Sequence, residues 1–317
     1  MDRLSATAGV VLCVVGARPN YMKMAPLLRA FRACPGLPPA LLVHTGQHYD
    51  PMMNERLFQD LALPRPDVNL EVGSGTHAVQ TAEVMRRFEP LVDEQRPSVV
   101  VVVGDVNSTL ACSLVAAKKG VAVAHVEAGL RSYDRAMPEE INRVLTDQIA
   151  ELLYTTERSA HANLEREGIP AGRIHFVGNV MIDSLLAHRS RAVPPARTLA
   201  QGFADRPYGV VTLHRPSNVD ERAALAASLD ILREVAERLP LACVLHPRTV
   251  ARIEAFELSE KMRHPGLAVL APQGYLEMLG LMAGATLVLT DSGGMQEETT
   301  ALAVPCLTLR ENTERPI

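Results

Sequence analysis

The sequence is poor in cysteine: five residues, Cys13, Cys34, Cys112, Cys243 and Cys306, odd in number, scattered and without a CxxC pair. That excludes a disulfide framework and leaves buried thiols in a reducing compartment as the simplest reading. No apolar run is long enough to cross a bilayer, because GVVLCVV at residues 9–15 stops short and leads into GARPN rather than a small-residue cleavage site. A cytoplasmic protein without a targeting segment is expected. Lysine is scarce as well, with only Lys23, Lys118, Lys119 and Lys261 among 32 basic residues. A net charge of −4 argues against a broad nucleic-acid or membrane footprint, yet leaves room for a local arginine-lined pocket that takes a small anion. HExxH and Cys/His clusters are missing, and His44, His48 and His246 are not at metal-ligand spacing, so no catalytic metal is expected. The absence of a GxSxG elbow removes support for nucleophilic acyl transfer.

What is present is an α/β pattern. The 317 residues, 47% apolar and 21% charged, suffice for two domains with sizeable cores. Short β-branched runs alternate with longer Ala/Leu/Arg helical stretches, the signature of parallel sheets flanked by helices. Strands are expected at 10–16, 39–44, 98–103, 121–125, 151–155 and 173–177, and again at 208–213, 240–245, 267–271, 286–290 and 305–309. Between the two series, SRAVPPARTLAQGFADRP at 190–207 breaks both periodicities. The expected organisation is therefore a doubly wound domain at 1–189, a connector at 190–207 and a second doubly wound domain at 208–317, with a ligand in the cleft that they face.

The densest charge lies in HVEAGLRSYDRAMPEEINR, residues 125–143, between two apolar segments. Glu127 and Arg131 are expected to emerge at the carboxyl end of the VAVAH strand, where open α/β sheets place ligands. Pro138 then opens a helix with Glu139 and Glu140 in its first turn, where the dipole favours carboxylates. In VVVGDVNST, Asp105 ends the preceding strand, which sets two carboxylates close together at one sheet edge, as acid/base chemistry requires. GARPNYMK carries Arg18 and Lys23 into a helix start suited to phosphate or carboxylate, although it is neither GxGxxG nor a P-loop. In the second half, VTLHRPSNVD presents His214 and Arg215 at a strand end. LTDSGGMQEE offers Ser292, Gly293 and Gly294 at a glycine-rich helix start for a diphosphate, with Glu298 further on for ribose hydroxyls. Each motif has a plain alternative, an ordinary turn or capped helix.

Taken in order, GARPNYMKMAPL, TGQHYD, GDVNSTLA, HVEAGLRS, MPEEINR, VGNVMID, LHRPSNVD, LTDSGGMQEE and TERP resemble the non-hydrolysing UDP-N-acetylglucosamine 2-epimerase family from residue 10 onward. The resemblance implies a glycosyltransferase-B-like pair of Rossmann-like domains, with UDP held mainly by the second. It also implies interconversion of UDP-GlcNAc and UDP-ManNAc without NAD or metal, toward ManNAc-containing polysaccharides, by a homodimer. Proton removal at C2 with departure of UDP would give a 2-acetamidoglucal, to which UDP adds back at C1 as a proton is delivered to the opposite face of C2. By the motif match Asp105, Glu127 and Glu139 carry acid/base roles and His214 aids leaving-group departure. Arg18, Lys23 and Arg143 lie near diphosphate and sugar, Ser292, Gly293, Gly294 and Glu298 hold UDP, and His48, Arg131, Arg215 and Gln273 complete the substrate-binding set.

Three departures stand beside the resemblance. Tyr49-Asp50 follows Gln47-His48 where many bacterial members have Arg, in a region that binds an activating second UDP-GlcNAc in some of them. Pro216-Ser217 follows the His-Arg pair where several members have Arg-Glu. The sequence also stops within TERP, so the second domain is expected to be incomplete. Within the family, a 2-epimerase of UDP-diacetamido-uronic acids and a hydrolysing 2-epimerase releasing ManNAc remain as alternatives. Outside it stand a UDP-binding fragment without turnover and a sugar-transferring enzyme of the same fold.

Overall fold

A computed structural model describes residues 9–46 and 51–315, the side chains of 51–55 excepted. The chain divides into two compact units, one running to Ser184 and the other Leu185–Arg315. The first contains β1 (Val11–Val15), β2 (Ala40–His44), β3 (Val68–Asn69), β4 (Val99–Val103), β5 (Ala122–Val126), β6 (Leu152–Thr155) and β7 (Ile174–Phe176). The second contains β8 (Gly209–Thr212), β9 (Leu241–Val244), β10 (Leu267–Leu270), β11 (Leu287–Thr290) and β12 (Cys306–Thr308). Every expected strand is present within one residue of its expected ends. The one addition is β3, whose two residues are too short to show a period. Asp67 helps to fix it by accepting the Leu42 amide at 2.7 Å.

Both sheets are parallel throughout, because their strands are apolar runs covered on both faces by crossover helices. In the first unit Phe88 and Val84 of the helix His77–Gln95, with Cys112 and Val115 of Asn107–Lys118, form a core with Leu12, Val14, Val100 and Val102. In the second, Leu225, Leu229 and Leu232 of Arg222–Ala236 pack with Val211, Cys243 and Leu289.

The strand orders are β3-β2-β1-β4-β5-β6-β7 and β10-β9-β8-β11-β12. Each reverses beside its first strand, between β1 and β4 and between β8 and β11. Ligands of doubly wound sheets bind at the carboxyl ends of strands at such a reversal. Four of the singled-out motifs, GARPN, GDVNST, HRPSN and DSGG, follow these four strands.

Residues 190–207 lie against the second unit. Val193 donates its amide to Leu276 O at 3.0 Å, and Leu199 and Phe203 are buried. The approach is so close that a Cβ on Gly280 would stand 1.8 Å from Val193 O, a contact that only glycine permits.

Candidate functional site

In the first unit, the turn after β1 is fixed by Asn20. Its carbonyl oxygen accepts the Gly16 and Ala17 amides at 3.0 Å each, and its amide donates to Val103 O at 2.9 Å, tying the start of helix Arg18–Ala33 to the end of β4. One helical turn further, Lys23 is buried and its Nζ lies 2.6 Å from Glu127 Oε1, with side-chain exposures of 5% and 1%. That degree of burial makes the pair strongly coupled, because either charge alone would be expensive. Glu127 reaches Lys23 from an uncommon left-handed backbone, φ +71°, held by its amide on Tyr154 O at 3.0 Å. Space for the pair comes from Gly104, φ +68°, where a Cβ would meet Lys23 Nζ at 3.0 Å. Arg18, at the first position of its helix, is exposed.

Asp105 follows Gly104. Arg143 Nη2 lies 2.5 Å from its Oδ2, and the Arg143 Nη1 lies 2.6 Å from Glu140 Oε2. Burial acts to raise the Asp105 pKa and Glu127 adds to that. The Arg143 and Lys23 charges and the Arg143 hydrogen bond outweigh both and leave it below the ordinary carboxylate range. Asn142 supports the turn by donating to Asp105 O at 2.9 Å. The helix Pro138–Ile149 has the expected Glu139 and Glu140 in its first turn, and the two differ in use. Glu140 is buried and takes the Ser132 and Tyr133 amides at 3.0 and 2.9 Å. Glu139 is half-buried and stays out of this network among the described residues. Arg131 is engaged within the fold, its guanidinium paired with Glu167 at 2.6 Å and Asp147 at 2.8 Å.

In the second unit one buried carboxylate organises the site. Asp291 Oδ2 accepts the His214 amide at 2.9 Å, the Arg215 amide at 2.8 Å and Asn218 Nδ2 at 3.0 Å, while Oδ1 lies 2.7 Å from His214 Nδ1. Burial would raise its pKa, but the His214 side chain and the two amides hold it at about 2. The His214 side chain is 38% exposed, so its backbone side is clamped while its ring faces outward. After Asp291, Ser292 stands at the N-cap position of the helix Gly293–Leu302 without a side-chain capping hydrogen bond. A Cβ on Gly293 would meet Glu314 Oε1 at 2.4 Å, so the helix start closes tightly on the TERP segment. That segment holds the same helix at two more points, Thr313 donating to Gln296 Oε1 at 3.0 Å and Arg315 pairing with Glu297 at 2.7 Å. Glu298 is buried beside Tyr275, whose hydroxyl pKa is raised by burial and by that carboxylate. Gln273 is half-buried two residues before Tyr275 and donates to Ala271 O at 2.7 Å.

The structure thus brings Lys23, Asp105, Glu127 and Arg143 together in the first unit, and His214, Arg215, Ser292 and Gly293 around Asp291 in the second. His48 lies outside the described residues. Sequence reading did not single out Asn20, Glu140, Asn142 or Asp291 as site residues. Asp291 stood within the quoted LTDSGG motif, and a carboxylate immediately before a glycine-rich helix start was the available signal. Among the described residues no group of three or more His, Cys, Asp or Glu side chains could hold a metal ion, and no helix is long and apolar enough to cross a membrane.

Two Rossmann-like parallel-sheet units with charged and glycine-rich turns at their strand-order reversals define a protein of the glycosyltransferase-B-like class. The family model for UDP-N-acetylglucosamine 2-epimerase matches residues 38–317. The chain belongs to that family. It is 43% identical over 309 residues to a UDP-N-acetylglucosamine 2-epimerase of Methanocaldococcus jannaschii, covering 96% of this chain and 84% of the relative. It is 41% identical over 308 residues, with the same two coverages, to a UDP-2,3-diacetamido-2,3-dideoxy-D-glucuronate 2-epimerase of Pseudomonas aeruginosa. A crystal structure of the M. jannaschii UDP-GlcNAc 2-epimerase in complex with UDP-GlcNAc and UDP superposes with a TM-score of 0.88 at 41% identity, covering 97% of this chain and 85% of that one.

Proposed function

We propose that this chain interconverts UDP-N-acetylglucosamine and UDP-N-acetylmannosamine by reversible epimerisation at C2, as a cytoplasmic homodimer without metal or NAD. The observation that carries the reading is the pairing of each strand-end carboxylate with its own cation, Asp105 with Arg143 and Glu127 with Lys23, in a chain of this family. Removing the C2 proton needs an ionised carboxylate. Asp105 fits that need, since two cations keep it ionised and its side chain is 23% exposed, against 1% for Glu127. Glu139, half-buried at the start of its helix, supplies a further acid/base group for proton delivery to the opposite face. Arg18, Lys23 and Arg143 provide positive charge for the sugar diphosphate.

On the second unit, the Ser292 side chain and the amides of Gly293 and Gly294 hold the diphosphate of UDP, the Ser292 amide being engaged by Thr290 Oγ1 at 3.0 Å, and Glu298 takes the ribose hydroxyls. Arg215 and Gln273 add polar contacts. His214, its Nδ1 facing Asp291, presents Nε2 toward the leaving diphosphate and favours C1–O bond breaking. The UDP-GlcNAc branch is preferred over the diacetamido-uronate branch because the TERP segment is kept, and its Thr313, Glu314 and Arg315 brace the UDP-holding helix. Incubating the protein with UDP-GlcNAc in deuterated water and following the sugar by proton NMR tests the proposal. UDP-ManNAc bearing deuterium at C2 is expected. Free ManNAc would place the chain in the hydrolytic branch, and unchanged, undeuterated UDP-GlcNAc would refute the assignment.

A further inference from the structure

His125, in β5, is fully buried, and both of its ring nitrogens face oxygen. Nδ1 is 2.6 Å from Asp147 Oδ1 and Nε2 is 2.8 Å from the Gly104 carbonyl. A neutral imidazole has one N–H, and a carbonyl oxygen can only accept. Nε2 therefore carries hydrogen, and the contact between Nδ1 and Oδ1 contains a second one, on the ring or on the carboxyl group. Arg131 decides between the two. Its Nη1 is 2.8 Å from Asp147 Oδ2, which also accepts the Gly129 amide at 3.0 Å, and both favour the ionised carboxylate. Arg131 is in turn forked onto Glu167 through Nε and Nη2 at 2.7 and 2.6 Å. With the second hydrogen on the ring, two cations, His125 and Arg131, face two anions, Asp147 and Glu167. Buried charges are tolerated when they are balanced and hydrogen-bonded in this way.

We infer that His125 is a buried imidazolium and a positioning residue for the turn that carries Asp105. The carbonyl that it holds belongs to the residue before Asp105, and the amide of that same Gly104 is bonded to Val126 O at 3.1 Å, so β5 grips the turn by both peptide groups. At its other end Asp147 grips Gly129, φ +80°, two residues past the left-handed Glu127. One His-Asp pair thereby sets the strand-end turns of both carboxylates without touching either. Neither member shows in the sequence as a site residue, because the pairing joins β5 to the helix Pro138–Ile149 across 22 positions.

The kinetic consequence rests on the acid/base reading of Asp105, whereas the protonation state does not. Neutron diffraction from the unaltered, deuterated protein at neutral pH reads that state directly. Deuterium on both His125 nitrogens and a bare Asp147 carboxylate are expected; a bare Nδ1 overturns the imidazolium. Asp147→Asn keeps the shape and removes the charge facing both cations. Its kcat for C2 epimerisation is expected to fall by about tenfold to a hundredfold, with KM for UDP-GlcNAc changed by less than about twofold, as misplacement of a reacting group does. An unchanged kcat, or a proportional rise in KM, overturns the positioning role. His125→Gln, which keeps a donor for the Gly104 carbonyl, serves if Asp147→Asn does not fold, with the same split expected.

Discussion

The two units share a strand order about their reversal point and use it in opposite ways. In the first, the groups at the strand ends are charged side chains locked in ion pairs, Asp105 on Arg143 and Glu127 on Lys23, projected from turns with positive φ at Gly104 and Glu127. In the second, a single buried aspartate gathers backbone amides and one histidine, and a glycine at the next helix start keeps side chains out of the way. Side-chain charge suits proton transfer, which needs a group of set ionisation at a set place. Backbone amides at a helix start suit a diphosphate, which needs donors and a favourable dipole. On the proposed function, the same scaffold thus carries the proton-transfer carboxylates on one unit and the main hold on UDP on the other.

This contrast can be broken at several points. The largest effect is expected from Asp105→Asn, which removes the proposed proton acceptor while keeping its shape. Its kcat should fall by about a hundredfold to ten-thousandfold, measured as C2 deuterium incorporation, while the far-UV circular dichroism stays that of the unaltered protein. Retained exchange would move the base elsewhere. Next, Lys23→Met leaves Glu127 as a buried charge without its closest cation, and stability should drop by about 3–5 kcal/mol in urea unfolding. Lys23→Met with Glu127→Gln should recover much of that loss, which a purely steric effect of methionine would not allow. Smaller again is the acid sensitivity of the second unit. Folded Asp291 sits at about 2, below the ordinary carboxylate value near ~3.9, so the folded state binds this proton more weakly than the unfolded state does. The pairing stabilises above roughly pH 4, by about 2 kcal/mol, and that contribution is lost as pH falls from about 4 toward 2. In Asp291→Asn this part of the pH dependence of the urea midpoint should be missing.

Much of the scaffold was legible along the chain because parallel strands announce themselves as apolar runs: Val99–Val103 is five valines in a row, and it is β4. A two-residue strand such as β3 carries no such period. The placement of candidate residues was legible where residue type and position suffice, as at Asp105 after its glycine or Ser292-Gly293-Gly294 before its helix. It was not legible where function depends on a partner far along the chain. Glu140 and Glu139 are neighbours in one helical turn, yet only Glu140 is drawn to Arg143 and the Ser132 and Tyr133 amides. Arg131 looked like a cleft residue by its place after β5, and Glu167, 36 positions on, takes its guanidinium instead. Asp291 owes its role to β8 lying beside β11, a neighbourhood that the strand order creates and local sequence does not show.

The proposed placement of proton transfer on the first unit and of the main hold on UDP on the second is tested most directly by the Kd for UDP of Asp105→Asn and Gly293→Ala, titrated by calorimetry beside the unaltered protein. Asp105→Asn is predicted to bind UDP within about threefold of it. Gly293→Ala, whose new Cβ would stand 2.4 Å from Glu314 Oε1 and push the helix start aside, is predicted to bind about tenfold or more weaker, the equivalent of ~1.4 kcal/mol. Equal losses of UDP affinity in the two variants would contradict the account.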